Sequence, residues 1–457
     1  MPDMSDKIVL LGGVLRFNPW GMVICAVFLA AYFAHWASNI RKTGWGLDYW
    51  HFTIFFIVVV PVLLMYPVSG SIYQALAIGD RNFAILDSWI ETALGVSLVG
   101  FLGLLGGREL FDWIGPSRSA GIVNSVWGPF ARMFHRNIMS GACQVVLVAL
   151  SLLAASVVFS AVGLDGLAKI RDFFLKNESI RPFYNLLLSV YPLLPLYYWL
   201  RSMEARGAVR LGIFIPLLIA VAVLGSRGAF IAVAFLIYAI SIFRKGGRLS
   251  VFRMVLVLIG LMLFAILLDA MRSGGDLYGG LISIWSSIFF GNNLSDLRDF
   301  AWLISVWDGT PFLGKTYAAA LMGFLPRFVS DFRENWAFGV VSATMAGLSP
   351  QSHAGLRPGV FGEAYFNFGL IGVLVLGLVN GFLLRYGDWE IKRLWASGGG
   401  PAAMYVATVP YQVGAAFFLT SGFWGIYLLF IVHICAACLR RMVVHERIRA
   451  GLGSGRL

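Results

Sequence analysis

Charge is what this chain has least of. Of its 457 residues only 13% are Asp, Glu, Lys or Arg, about half the share of a soluble globular domain, and that shortage excludes such a domain. Cysteine is scarce as well: the chain has four, at Cys25, Cys143, Cys435 and Cys438. All fall in apolar runs, the last two as a CxxC near the end of one, so packing accounts for them and no disulfide framework is implied. The one long polar segment holds Asp296, Asp299, Asp308, Asp331 and Glu334. It has no DxD pair and no His/Cys cluster of ligand spacing, so no metal and no cofactor is expected. There is no internal repeat.

What is there is apolar surface. Hydrophobic residues make up 59% of the chain, and the mean hydropathy is +0.80. Stretches of about 20 apolar residues read as membrane-spanning helices. They predict an all-α, polytopic membrane bundle of about eleven spans, over 19–38, 50–70, 88–106, 142–163, 182–200, 209–225, 227–243, 251–269, 361–384, 401–418 and 420–439. The whole chain, 1–457, reads as a single integral-membrane domain. The segment before Pro19, KIVLLGGVL, is too short to span and has no small-residue cleavage site, which predicts an interfacial piece rather than a signal peptide. A net charge of +12 needs no nucleic acid to explain it, because cytoplasmic loops of membrane proteins gather Lys and Arg.

Those cations set the orientation. Arg244, Lys245, Arg248 and Arg253 follow span seven, Arg201, Arg206 and Arg210 follow span five, and Arg440, Arg441, Arg447 and Arg449 follow the last. With Arg108, Arg118, Arg132 and Arg136 they share one side, which the positive-inside rule makes cytoplasmic. The odd span number then puts the N-terminus outside. Two features fall on the outer face. One is LGSRGAF, residues 224–230, where Arg227 crowns the hairpin between spans six and seven. The other is the long loop, about 269–360, rich in Trp and Tyr, which has the composition of a structured, partly helical cap; GGLISIWSSIFF and YAAALMGFLPRF within it read as amphipathic or re-entrant helices. Of six histidines only His353 lies outside, near Arg298, Lys315, Arg327, Arg333 and Arg357, with Glu363 just inside the next helix. A histidine among arginines suggests a general base beside an anion site. At a membrane surface the natural anion is a lipid-linked phosphate or pyrophosphate.

GSRGAF opening a span, NNLSDLRDFAW and LGKTYAAALMGFLPRF in the outer loop, and HAGLRPGVFGEAYFNFGLIGV closing it resemble, in their order and spacing, the Wzy-type oligosaccharide-repeat-unit polymerases. These are relatives of the O-antigen ligases among integral-membrane glycosyltransferases. The resemblance covers about residues 225–385. It implies a GT-C-like bundle in the bacterial inner membrane with its active site facing the periplasm. There a growing glycan on undecaprenyl pyrophosphate would be transferred to one repeat unit on a second undecaprenyl pyrophosphate, without a metal. The product would be a surface polysaccharide such as O-antigen, capsule or exopolysaccharide. Membrane lipids surround such an enzyme, and a chain-length regulator and a flippase of the same pathway are its implied partners.

With no metal, arginines must neutralise the leaving pyrophosphate, and their planar, permanently charged heads suit that task. Arg227, flanked by Gly225 and Gly228 at a helix start, is the first candidate; the plain alternative is an arginine snorkelling to the interface. His353 is the candidate base, or else a loop histidine satisfied by carbonyls. Arg357 is a candidate pyrophosphate ligand. Arg327 and Arg333 are candidates too, or solvated faces, and Arg298 is either a ligand or an ion-pair partner of Asp296 or Asp299. Glu363 would orient His353 or an arginine, or bind an acceptor hydroxyl, unless it is only a carboxylate at a helix start; Tyr365 beside it matches the family's GEAYFNFG and is taken as glycan-binding. Asn367, Gly369, Gly372 and Gly377 read as helix-packing residues. Two rivals stand. A ligase would hand the finished glycan to lipid A core, and a lipid-linked oligosaccharide flippase would carry ionisable groups near the midplane.

Overall fold

The computed structural model describes residues 19–43, 58–66, 83–162, 181–191, 193–204, 256, 260, 296–325, 329–350, 355–418 and 423–453. Every element among them is a helix. The protein is an all-helical membrane protein. Four helices are long and apolar enough to cross a bilayer: Trp89–Ile114, Gly141–Val162, Gly359–Ala396 and Phe423–Glu446. They coincide with predicted spans 88–106, 142–163, 361–384 and 420–439. The spans predicted at 209–225 and 227–243 lie outside the described residues, as does 251–269 apart from Leu256 and Gly260. Where 182–200 was expected as one span, two shorter helices stand on either side of Pro192, Arg181–Val190 and Leu193–Glu204. A proline removes a backbone donor and crowds the preceding turn, so a helix ends there more readily than it continues.

The chain forms two compact units. The first comprises Met1–Ser119, Gly275–Trp389 and Tyr411–Phe423, the second Ala120–Gly274, Glu390–Pro410 and Trp424–Leu457. In chain order the elements that matter are α1 (Pro19–Thr43), α2 (Val60–Met65), α3 (Phe83–Ile114), α4 (Pro116–Ile138), α5 (Gly141–Val162), α6 (Arg181–Val190) and α7 (Leu193–Glu204). After them come α8 (Asp296–Val306), α9 (Lys315–Leu321), α10 (Asp331–Trp336), α11 (Phe338–Met345), α12 (Gly359–Ala396), α13 (Pro401–Ala415) and α14 (Phe423–Gly453).

A glycine seam organises the first unit. Gly100, Gly103 and Gly107 of α3 face Gly377 and Gly381 of α12, two helices running in the same direction. A Cβ on Gly377 would lie 2.6 Å from the carbonyl oxygen of Gly100, and one on Gly381 would collide with that of Leu104. Small residues let backbones approach within a membrane, where packing rather than water exclusion drives helix association. Gly377 thus packs as expected. Gly369 does something else. Its φ of 64° and ψ of −157° break α12 into two helical stretches, a conformation that a side chain would strain. Gly372 keeps the bend compact, since a Cβ there would lie 2.9 Å from the Ala364 carbonyl.

The second unit is held by α5, α6, α7 and α14 around Cys143, Leu147, Val190, Leu194, Tyr197, Leu428, Val432 and Ala436. Its polar atoms find backbone partners. The Tyr197 hydroxyl donates to the Ser140 carbonyl at 2.8 Å, and Arg201 donates to that of Met139 at 2.5 Å.

Candidate functional site

The described part of the long loop carries four helices, α8 to α11, joined by turns, and it is more than a cover. α8 packs along α3, and Leu297, Asp299, Phe300, Ala301, Trp302, Leu303 and Ile304 are buried. Burial on most of its circumference makes α8 part of the first unit's core. Its N-terminal turn carries the charges. The Arg298 Nε donates to the Asp299 Oδ1 at 3.2 Å, and the Asp299 Oδ2 accepts the Arg357 backbone N–H at 3.4 Å. Asp296 sits beside them, close to Gly359 at the start of α12. Burial pushes the Asp296 carboxyl up to about 6; the Arg357 charge opposes this, the Asp299 charge adds to it, and the Arg298 charge opposes it. A carboxyl there changes charge near neutral pH, the range a proton-transferring group needs.

The turn that leads into α12 is pinned twice. The Leu356 N–H donates to the Ser342 hydroxyl of α11 at 3.1 Å, and the Arg357 N–H is held by Asp299. Arg357 itself is exposed, with its backbone fixed.

The kink at Gly369 opens a second docking point. A continuous helix would satisfy the carbonyls of Phe366 and Asn367 from residues a turn further on. Here the Phe312 and Leu313 N–H groups fill those positions, at 3.0 Å and 3.2 Å, and the Gly314 N–H donates to the Asn367 Oδ1 at 2.9 Å. The same turn of α12 holds Glu363, which is 3% exposed. The Thr316 hydroxyl donates to the Glu363 Oε1 at 2.7 Å. The Asn367 Nδ2 donates to the Thr316 Oγ1 at 2.7 Å and to the Glu363 carbonyl at 2.8 Å. Glu363 is therefore tied to α9. The Tyr317 hydroxyl is buried with no hydrogen-bond partner among the described residues. Burial raises its pKa, and the Glu363 charge adds to the shift.

Of the residues singled out from sequence, the structure brings Arg298 and Arg357 together around Asp299. Arg298 is an ion-pair partner of Asp299, one of its two expected roles. Tyr365 stands in an aromatic cluster, its ring 5.7 Å from that of Phe300 and 5.6 Å from that of Trp307. Arg333 is in the last turn of α10, a helix capped by the Ser330 hydroxyl. On neighbouring α9 the Lys315 ammonium lies 4.3 Å above the Trp336 ring, a cation–π contact. Asn367, expected to pack, is the hub of a polar network instead. Arg227, Arg327 and His353 lie outside the described residues. Thr316 and Tyr317 were not foreseen; a threonine in an alanine-rich stretch carries no signal until its partner on another helix is known. Among the described residues no group of three or more His, Cys, Asp or Glu is placed to hold a metal ion.

No family model matches the chain, and neither a curated protein nor a solved structure matches it.

Proposed function

We propose that the protein is a glycosyltransferase of the inner membrane that polymerises undecaprenyl-pyrophosphate-linked repeat units at the periplasmic face, within a bundle of about eleven spans. The observation that carries this reading is the junction of α8 and α12. Arg298 and Arg357 meet there around Asp299, beside Asp296, whose carboxyl burial pushes up to about 6. Arg357, with Arg227, would neutralise the leaving pyrophosphate, while Arg298 stays in its ion pair with Asp299; Arg333 and Arg327 would extend the anion site, and Tyr365 would meet the glycan. The acceptor hydroxyl attacks the donor's anomeric carbon, its proton passes to His353, and undecaprenyl pyrophosphate leaves. Glu363, held by Thr316, positions the start of α12. The test is to supply the purified protein with a lipid-linked repeat unit and resolve the products on a gel. A ladder is expected, and it should vanish in His353→Ala and in Arg227→Ala. No ladder with a matched substrate, or an undiminished one in both variants, overturns the reading.

One observation favours a second reading, a lipid-linked oligosaccharide flippase. Charged groups occur within the spanning helices α3 and α12, where Arg108 and Asp388 are 4% and 2% exposed, and such groups often mark transport paths. Movement of an intact lipid-linked unit across vesicles holding this protein alone would favour it. Transfer of the glycan to lipid A core would instead identify a ligase.

A further inference from the structure

The second unit carries a surface that neither reading uses. α4 is a 23-residue helix between the spanning helices α3 and α5, with four basic side chains, Arg118, Arg132, His135 and Arg136, and no Asp or Glu. Around its axis three strips follow one another. Val123, Trp127 and Phe134 are buried. Next to them Ile122, Val126 and Phe130 recur every fourth residue as an apolar stripe, 56%, 74% and 43% exposed. Beyond the stripe, by the helical period of 100° per residue, come Arg118, Arg136 and Arg132. An amphipathic helix whose apolar stripe is bordered by cations, and whose charge density keeps it from spanning, lies in the plane of a membrane interface.

A second helix brings more charge to the same place. One Arg440 guanidinium nitrogen of α14 donates to the Arg136 carbonyl at 3.3 Å, and the positive charges of Arg136 and Arg441 both act on Arg440. Met442, Val443 and Val444 follow, each exposed. Among the described residues no carboxylate forms an ion pair with Arg136, Arg440 or Arg441. Three like charges gathered beside exposed apolar side chains repel one another unless an anion joins them. An anion that also covers the apolar stripe has both a phosphate and acyl chains.

We propose that α4 and the arginine-bearing end of α14 form a binding surface for anionic phospholipid, with Arg136, Arg440 and Arg441 on the headgroup phosphate and Ile122, Val126 and Phe130 among the acyl chains. The proposal does not depend on the polymerase reading. It fits the side that the distribution of cations makes cytoplasmic, because polybasic segments flanking spans are drawn to anionic leaflets.

The test uses the full chain in a mild uncharged detergent, titrated with phosphatidylglycerol or with phosphatidylcholine of the same acyl chains. Lipid retention is read by native mass spectrometry and the melting temperature is read alongside. Phosphatidylglycerol is expected to be retained and to raise the melting temperature in a salt-sensitive manner, and phosphatidylcholine to do neither. Each arginine replaced by Gln should weaken retention about fivefold, from roughly one surface charge's attraction. The combined R136Q/R440Q/R441Q variant then falls by about a hundredfold, while the matching triple Lys variant keeps the preference. The Lys variant also serves if the Gln variant melts early without lipid. Equal retention of the two lipids, or a Lys variant that behaves like the Gln one, overturns the proposal. An equal shift from glycerol phosphate, which has the headgroup and no chains, overturns it in favour of a free anion site.

Discussion

Two clusters in the first unit have the same composition, two arginines and two aspartates, and behave differently. In one, Arg108, Asp112, Arg385 and Asp388 stand where α3 meets α12 beyond the glycine seam, and all but Asp112 line a small cavity with Tyr32 and Gly381. The Arg385 Nε reaches both Asp112 carboxylate oxygens, at 3.0 Å and 2.9 Å, across 273 residues of sequence. In the other, Arg298 pairs with its sequence neighbour Asp299, whose second oxygen takes a backbone N–H at a longer 3.4 Å. The first cluster ties two spanning helices together with side chains on both. The second fixes a turn through the Arg357 backbone. Like inventories therefore tie two spanning helices together in one place and fix a turn in the other. What differs is the reach of the pairing: the Arg385 head is held by a carboxylate on another spanning helix, the Arg298 head by the residue next to it.

The sharpest way to break that contrast is Asp299→Ala. The side chain of Arg298 is only 13% exposed, and removing Asp299 takes a charge partner from a nearly buried cation and one of the two ties on the turn before α12. A loss of about 3 kcal/mol, read as a lower melting temperature in detergent, is expected, together with loss of polymer formation. Gly381→Val tests the first cluster from the packing side. Its branched side chain has to displace the Leu104 carbonyl and spread the seam, at about 2 kcal/mol, and α3 and α12 should become more susceptible to proteolysis. Asp112→Asn is milder. Asp112 is about a third exposed, so water replaces much of what Arg385 loses and about 1 kcal/mol is expected. Polymer formation should continue in this variant; loss of activity with stability intact would give the first cluster a functional role and strengthen the transport reading.

How much of this could be read from the sequence depends on how local the cause is. The spans at 142–163 and 361–384 were legible because crossing a bilayer needs only length and apolarity. The pairing of Arg298 was legible because its partner is the next residue. The break near Pro192 was hidden by an apolar run that continues on both sides of it. The kink at Gly369 was hidden for a different reason: in a spanning helix a glycine reads as a packing residue, and nothing nearby shows that Phe312 and Leu313 will take over the released carbonyls. Glu363 and Asn367 find Thr316 at separations of 47 and 51 residues. Which hydroxyl fills such a buried polar site is decided by the fold.

Asp296→Asn is the smallest change and the most specific to the second cluster. Its carboxyl is raised from 3.8 to about 6, so between those values the folded protein holds a proton that the unfolded chain has released. Stability from this group is full below about 4 and is lost as pH rises through about 6, the sign for a carboxyl whose charged form burial disfavours. Above that range the charge is held at a cost that Arg357 and Arg298 partly offset. An asparagine, like the protonated carboxyl, carries no charge to desolvate, so the melting temperature at neutral pH should rise. The part of the acid-side slope between pH 4 and 6 that belongs to Asp296 should disappear, which a series of melts across that range will show. Polymer formation should survive Asp296→Asn with His353 taking the proton; its abolition, with stability undiminished, would move the proton-accepting role from His353 to Asp296.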